Sequence, residues 1–229
     1  MIDFHSHILP RIDDGSCSLD ETLEMLQQAA WQGVRYMVAT PHFYADRMNL
    51  CDFLERRQQA FDRVVKEKTV PAIGLGAEVH YFDHISCSED MQKLKIDSSR
   101  LLLVEMPFTG WTDRVVEDIC RLQDRQGLTP VLAHVERYRG QDQFPRYRDW
   151  LLSEGVLMQA NAGSFGRLRT GFWLIQQVKK GCIHFLGSDC HNLTTRQPNM
   201  ETAARAIEKR LGREALQEMM DFSAQALGL

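Results

Sequence analysis

Residues 101–106 read Leu-Leu-Leu-Val-Glu-Met, an apolar run that stops on a carboxylate. A strand with one wet face alternates apolar and polar side chains. A strand covered on both faces of a parallel sheet is apolar nearly throughout. The run therefore predicts a buried parallel strand. Six other runs share its character, at residues 2–5, 35–39, 72–78, 129–134, 156–160 and 183–188. Most of the intervals carry helical patterns. Ser18-Leu19-Asp20-Glu21 spells a capping box, Leu23, Leu26 and Ala30 follow at helical spacing, and Gly33 closes the helix. Helices are also predicted over 48–68, stopped before Pro71, and over 112–126, ending at Gly127. Four more fit 145–154, 168–180, 199–211 and 213–226. Residues 80–100 lack a strong period and predict a loop with a short helix from Ser88 to Leu94.

Seven strands alternating with helices make an α/β fold with a parallel sheet and right-handed crossovers. Each unit averages about 33 residues, the size of one βα repeat. No Gly-x-Gly-x-x-Gly follows the first run, which disfavours a dinucleotide-binding sheet. A closed or nearly closed barrel fits better, with its chemistry at the C-terminal strand ends. The chain of 229 residues is expected to be a single domain over 1–229. A content of 44% hydrophobic and 25% charged residues excludes collagen, coiled coil and wholesale disorder. A net charge of −4 is the wrong sign for sequence-independent nucleic-acid binding. Six scattered cysteines form no Cys-x-x-Cys pair and read as reduced thiols of a cytoplasmic protein. Neither a signal peptide nor a membrane-inserting segment is predicted.

The strand-end rule can be tested on the residues. The first run ends in His5-Ser6-His7, and the second is followed by Thr40-Pro41-His42. The next three end at Glu78, Glu105 and His134, and the seventh at Asp189 with His191 two residues on. Singly, each has a bland reading: Glu105 as half of a structural ion pair, His134 as a hydrogen-bonded core histidine, His5 and His7 as a surface pair. Together they would be costly to bury unpaired, and convergence on metal ions accounts for all of them. With Asp14 there are nine donors: His5, His7, Asp14, His42, Glu78, Glu105, His134, Asp189 and His191. Nitrogen and oxygen donors without thiolate suit manganese, iron or zinc in a catalytic cluster. Nine donors are too many for one ion and enough for two or three. Two ions ~3.5–4 Å apart activate water at neutral pH and clamp an in-line displacement at phosphorus.

Read in order with their neighbours, these residues resemble a known family. The segments are Met1-Ile2-Asp3-Phe4-His5-Ser6-His7, Ile12-Asp13-Asp14-Gly15, Thr40-Pro41-His42, Gly76-Ala77-Glu78, Val104-Glu105-Met106-Pro107, Ala133-His134-Val135-Glu136-Arg137 and Ser188-Asp189-Cys190-His191-Asn192, then Arg196-Gln197-Pro198. They resemble the polymerase-and-histidinol-phosphatase (PHP) superfamily and, within it, the bacterial capsule and exopolysaccharide protein-tyrosine phosphatases. The resemblance covers essentially the whole chain. It implies a distorted seven-stranded (β/α)7 barrel, three divalent transition-metal ions, usually manganese, and phosphotyrosine hydrolysis. It implies a partner as well, the phosphotyrosine tail of an autophosphorylating tyrosine kinase of polysaccharide export. By the same resemblance His5, His7, Glu78 and Asp189 hold one ion, and Glu78 bridges to a second completed by Glu105 and His134. Asp14, His42 and His191 hold the third, and Arg137 and Arg196 match the phosphate-binding arginines. Planar guanidinium groups suit that task because they grip phosphoryl oxygens bidentately.

Arg11 stands where the family usually has Gly, and either adds to substrate binding or lies solvated on the surface, the second reading being favoured. Cys190 stands where it usually has Ala, and with Arg196 spells Cys-x5-Arg, the spacing of thiol-based tyrosine phosphatases. No Gly lies between them, and adjacent strand-end residues point opposite ways, so Cys190 is expected to face away from Asp189 and His191. His80 could face the pocket, His84 reads as loop surface and His184 as a packed histidine. Phe108 and Trp111 either wall the pocket or fill the barrel rim. A phenol of pKa ~10 leaves with little acid assistance, so no general acid is named. Two alternatives stand beside the phosphotyrosine reading. One is a small-molecule phosphoesterase acting on a substrate such as histidinol phosphate, and the other an inactive module that binds a phosphorylated tail.

Overall fold

Nine strand segments carry the seven apolar runs in the computed structural model, which describes residues 1–67 and 70–229. Strand β1 is Ile2–Ser6. The second run breaks into β2 (Tyr36–Ala39) and β3 (His42–Phe43), and the third into β4 (Ala72–Leu75) and β5 (Glu78–His80). His42 and Glu78 therefore open short strands, whereas the sequence places His42 after the second run and Glu78 at the end of the third. Pro41 causes the first break, because it lacks an N–H for the ladder and restricts Thr40. At the second, a side chain on Gly76 would place its Cβ 2.7 Å from Ile96 Cγ1. Arg57 Nη1 donates to Gly76 O at 2.8 Å and holds that corner. The remaining strands are β6 (Leu101–Glu105), β7 (Thr129–Leu132), β8 (Leu157–Asn161) and β9 (Phe185–Gly187).

All neighbouring strands pair in parallel. The order is β1-β2-β4 in one sheet and β3-β5-β6-β7-β8-β9 in the other, so the two breaks hand the pairing from one sheet to the next. The outer strands of the two sheets meet. Asp189 N donates to His5 O at 2.8 Å, His7 N to Cys190 O at 2.9 Å, and Ser188 N to Asp3 Oδ1 at 2.8 Å. Phe4 of β1 stacks on Phe185 of β9 with ring centroids 3.9 Å apart.

Among the described residues seven helices fill the intervals: α1 (Leu19–Trp31), α2 (Leu50–Lys66), α3 (Asp113–Gln126), α4 (Phe144–Ser153), α5 (Leu168–Lys179), α6 (Met200–Leu211) and α7 (Arg213–Leu227). Position 68, the expected end of the second helix, lies outside the described residues. Ser18 Oγ caps Glu21 N at 3.1 Å, while Glu21 reaches back to Cys17 N at 2.7 Å, one residue earlier than the capping box predicts. Residues 80–100 hold two 3-10 turns, Ile85–Cys87 and Glu89–Lys93, in place of the single short helix. Strands β1 and β6 are buried along their whole length, as continuous apolar runs require. Among the described residues no helix is long and apolar enough to cross a membrane.

Candidate metal centre

The strand ends converge. His5 on β1 and His7, the first residue beyond it, lie two apart along extended chain, so both rings leave one face, with their Nε2 atoms 3.1 Å apart. Glu78 Oε2 lies 3.3 Å from each of these nitrogens, and Asp189 Oδ1 lies 3.7 and 3.5 Å away. His134 Nε2 sits 2.9 Å from Glu78 Oε1 and 3.4 Å from Glu105 Oε1. Asp14 Oδ1 is 3.5 Å from His42 Nε2 and 3.4 Å from His191 Nε2. All nine donors thus join one cluster. Eight of them fall into three overlapping groups: His7, Asp14, His42 and His191; His5, His7 and Asp189; and His42, Glu78 and Glu105, while His134 joins through Glu78 and Glu105. His7 and His42 are each shared, whereas the resemblance gives each to one ion only.

Two donors are aimed by unusual backbone. His134 and Asp189 lie two residues beyond their strands with φ of +33° and +52°. Left-handed backbone is costly for any residue with a Cβ, and such residues cluster where side-chain direction matters to function. Here it turns both side chains back into the bowl.

The cluster is buried and its charges are mutually dependent. Burial lowers the His7 pKa, but the carboxylates of Asp13 and Glu78 outweigh it and raise it to about 10. Burial likewise opposes His134, which Glu105 and Glu78 raise to about 9. His191 goes the other way, to about 4, through burial and the charge of His7. Glu105 falls to about 2 despite its burial, held by His134 and His80. Among the nine candidate donors, four buried atoms keep no hydrogen-bond partner: Glu78 Oε2, His42 Nδ1, His134 Nδ1 and His191 Nε2. His42 Nδ1 lies 3.0 Å from Glu78 Oε2, but without hydrogen-bonding geometry, so neither atom is satisfied. Orphaned lone pairs on a set of imidazoles and carboxylates fit divalent cations.

Several residues that shape the site escaped the sequence reading. Asp13, which is buried, accepts from His7 Nδ1 at 2.7 Å and His42 N at 2.9 Å, while its neighbour Asp14 is 65% exposed. β8, whose apolar run is the one of the seven that closes on neither a histidine nor an acid, supplies amides. Gln159 Oε1 accepts from His134 N at 2.7 Å and touches His5 Nδ1 at 3.2 Å. Asn161 Nδ2 donates to Asp189 Oδ2 at 2.7 Å. Buried amides in an otherwise apolar run were the available signal. Tyr44, also missed, packs its ring 5.4 Å from the rings of His42 and of His80.

Arg137 and Arg196 both donate to Asp189, Arg196 at 2.6 Å. They line a cavity of about 140 Å³ with Asn161, Ser164, Arg167 and Asn199. His80 does face the centre, with Nδ1 3.1 Å from Glu105 Oε2. Phe108, half exposed, lies nearly parallel to the His134 ring at 6.3 Å, while Trp111 is buried against Tyr138 and Phe144. Arg11 is exposed and donates to Cys17 O at 2.9 Å. Cys190 is fully buried, and burial, with Asp3 close by, pushes its thiol well above the ordinary range. A thiol so placed cannot act as a nucleophilic thiolate.

Comparison with known proteins follows the same lines. The family model for capsular polysaccharide synthesis, CpsB/CapC, matches residues 1–227. Tyrosine-protein phosphatase YwqE of Bacillus subtilis is 31% identical, over 99% of this chain and 91% of its own. Tyrosine-protein phosphatase CpsB of Streptococcus pneumoniae is 29% identical, over 96% and 94%. A chain from the crystal structures of B. subtilis YwqE and S. pneumoniae CpsB, described as unique metal-dependent tyrosine phosphatases, superposes with a TM-score of 0.86 and 28% identity. That match covers 99% of this chain and 94% of the other.

Proposed function

This chain belongs to the CpsB/CapC family of capsular polysaccharide synthesis, and from that premise and the geometry of the centre we propose that it is a metal-dependent protein-tyrosine phosphatase. The observation that carries the reading is the cluster of nine nitrogen and oxygen donors, all but Asp14 largely buried, which shares Asp189 with a cavity lined by Arg137 and Arg196. Three divalent ions, manganese first among them, would be held by His5, His7, Glu78 and Asp189; by Glu78, Glu105 and His134; and by Asp14, His42 and His191. When bound, such ions supply Lewis acidity and lower the pKa of water.

The protein's own residues do the rest. Arg137 and Arg196 each spend one N–H group on Asp189, which leaves the remaining donors of each fork for phosphoryl oxygens. Charge that develops on those oxygens in the transition state meets two guanidinium groups already in place. Phe108 offers an exposed ring at the rim against which a substrate phenyl ring can lie. Asp13, Gln159 and Asn161 fix the rings and carboxylate that they hydrogen-bond. The leaving group is a phenolate, so no protein acid is required.

The same reading takes the nine strand segments as seven strands of one distorted barrel, with residues 1–229 as a single domain. The parallel bridge between Ser6 and Cys190 supports this. It also places the protein in the cytoplasm, acting on the phosphotyrosine tail of a tyrosine kinase of polysaccharide export. The test is metal analysis of the purified protein together with hydrolysis of a phosphotyrosine peptide, with and without chelator. We expect two or more equivalents of transition metal and loss of activity on chelation. A metal-free protein with full activity overturns the proposal. Faster hydrolysis of histidinol phosphate than of the peptide would move the function to small-molecule chemistry.

A further inference from the structure

We infer that the groove between the start of α5 and the end of α6 docks the polypeptide that flanks the phosphotyrosine, and that this flank is acidic and carries an apolar side chain. The inference rests on the phosphatase reading and adds the recognition of sequence around the target. The groove has a volume of about 490 Å³. Leu168 and Phe172, four residues apart on α5, share one face and are 91% and 61% exposed. Ile175, buried, continues that face into the floor. Large apolar side chains exposed together in a concave site mark a surface that is covered in use.

The rim is cationic. Arg167 and Arg169 stand at the start of α5, Lys209 and Arg210 in the last turn of α6. Among the described residues none of the four side chains makes an ion pair, although the neighbouring Arg205 and Arg213 pair with Glu201 and Glu208. No carboxylate lines the groove. Four unpaired cations in one place run against the net charge of −4. Moreover, α5 begins with arginines where a helix start favours acids, and Arg167 makes no side-chain capping bond. Carboxylates on a partner would relieve both features. Continuity identifies the partner as a peptide. Arg167 lines this groove and also the cavity that holds Arg137 and Arg196. A chain whose phosphotyrosine enters that cavity therefore passes Arg167 into the groove, where its carboxylates meet the rim and an apolar residue meets Leu168 and Phe172.

The test uses the whole metal-loaded protein and the double variant Arg169→Glu/Lys209→Glu, which leaves the metal donors and the three cavity arginines, Arg137, Arg167 and Arg196, intact. Three substrates are compared: a phosphotyrosine peptide flanked by Asp, Glu and Leu, the same peptide with Lys for its acids, and p-nitrophenyl phosphate. Wild type should prefer the acidic peptide. Charge reversal should raise KM for it at least about tenfold, leave kcat unchanged and leave p-nitrophenyl phosphate kinetics unchanged. Arg169→Lys/Lys209→Arg should behave as wild type. Equal cleavage of the acidic peptide by wild type and the charge-reversed variant overturns the inference. So does unchanged peptide cleavage coupled to lost binding of phosphatidylglycerol vesicles, which would make the groove a membrane contact. Unchanged cleavage with a lost dimer would likewise assign it to a second copy of the chain. A wild-type protein inert on all three substrates overturns the phosphatase reading alone. The groove is then judged by fluorescence anisotropy of the labelled acidic peptide, where equal affinity for both proteins refutes it.

Discussion

Replacing Asp13 by Asn should cripple the metal centre without touching a donor. The Asp13 carboxylate receives three hydrogen bonds: Gly15 N on Oδ1 at 2.9 Å, and His42 N at 2.9 Å and His7 Nδ1 at 2.7 Å on Oδ2. Burial raises its pKa, but these partners, His7 first, bring it down to about 2, so it is ionised at neutral pH. Asn has the same shape, no charge and one acceptor oxygen in place of two. If that oxygen takes the place of Oδ1, the amide NH2 faces the N–H of His42 and the ring of His7. If it takes the place of Oδ2, the NH2 faces the N–H of Gly15. Either way at least one buried donor loses its acceptor, at a cost of about 1–3 kcal/mol. The first arrangement also makes His7 accept at Nδ1 and carry its proton on Nε2, the nitrogen that points into the cluster. Loss of such a support typically costs ~10–100-fold in metal affinity or activity. Competition titration against a chromophoric chelator reads the affinity, and steady-state kinetics at saturating metal read kcat/KM. Far-UV dichroism and a cooperative melt establish that the variant is folded. A folded Asp13→Asn protein with wild-type metal affinity and wild-type kcat/KM refutes the argument.

Cys190→Ser should keep its activity and lose about 1–3 kcal/mol of stability from burying a hydroxyl, whereas folded His191→Ala and Asp189→Ala should be inactive. The reverse order would restore the Cys-x5-Arg motif as the catalytic element. Arg196→Ala should lose ~10²-fold in kcat/KM while metal content stays at the wild-type level, and full activity would show that phosphate is held elsewhere. His184 sits far from this chemistry, with burial lowering its pKa to about 4 while its Nδ1 accepts from Met158 N at 3.0 Å. An unfolded histidine titrates near ~6.5, so the unfolded chain binds the proton first, and stability that is complete above that pH drains away as pH falls toward 4. In chemical denaturation at pH 7 and pH 4.5, wild type should lose roughly 2–3 kcal/mol more than His184→Asn, and parallel pH profiles would count against it.

Helix and strand positions were readable from the chain because both depend on local periodicity. Continuous apolar runs such as 101–106 need two covered faces, and Ser18, Gly33 and Gly127 mark helix ends through their own backbone chemistry. The nine candidate donors could be singled out for a related reason. Titratable residues closing apolar runs have no local partner, and an unpaired charge is too costly to bury. Tertiary structure alone decided the rest. Which of two adjacent aspartates turns inward depends on where the loop after β1 meets His7 and His42, and it is Asp13 that is enclosed while Asp14 reaches the cluster from the surface. The break at Pro41 follows from that residue's own backbone, but the corner at Gly76, which also hands pairing from one sheet to the other, is held by Ile96 and Arg57, partners distant along the chain. The amides of β8 and the cationic groove over α5 and α6 acquire meaning only through neighbours remote in sequence. A residue's type and spacing report what it can do, but the burial and proximity that select one role are properties of the packed chain.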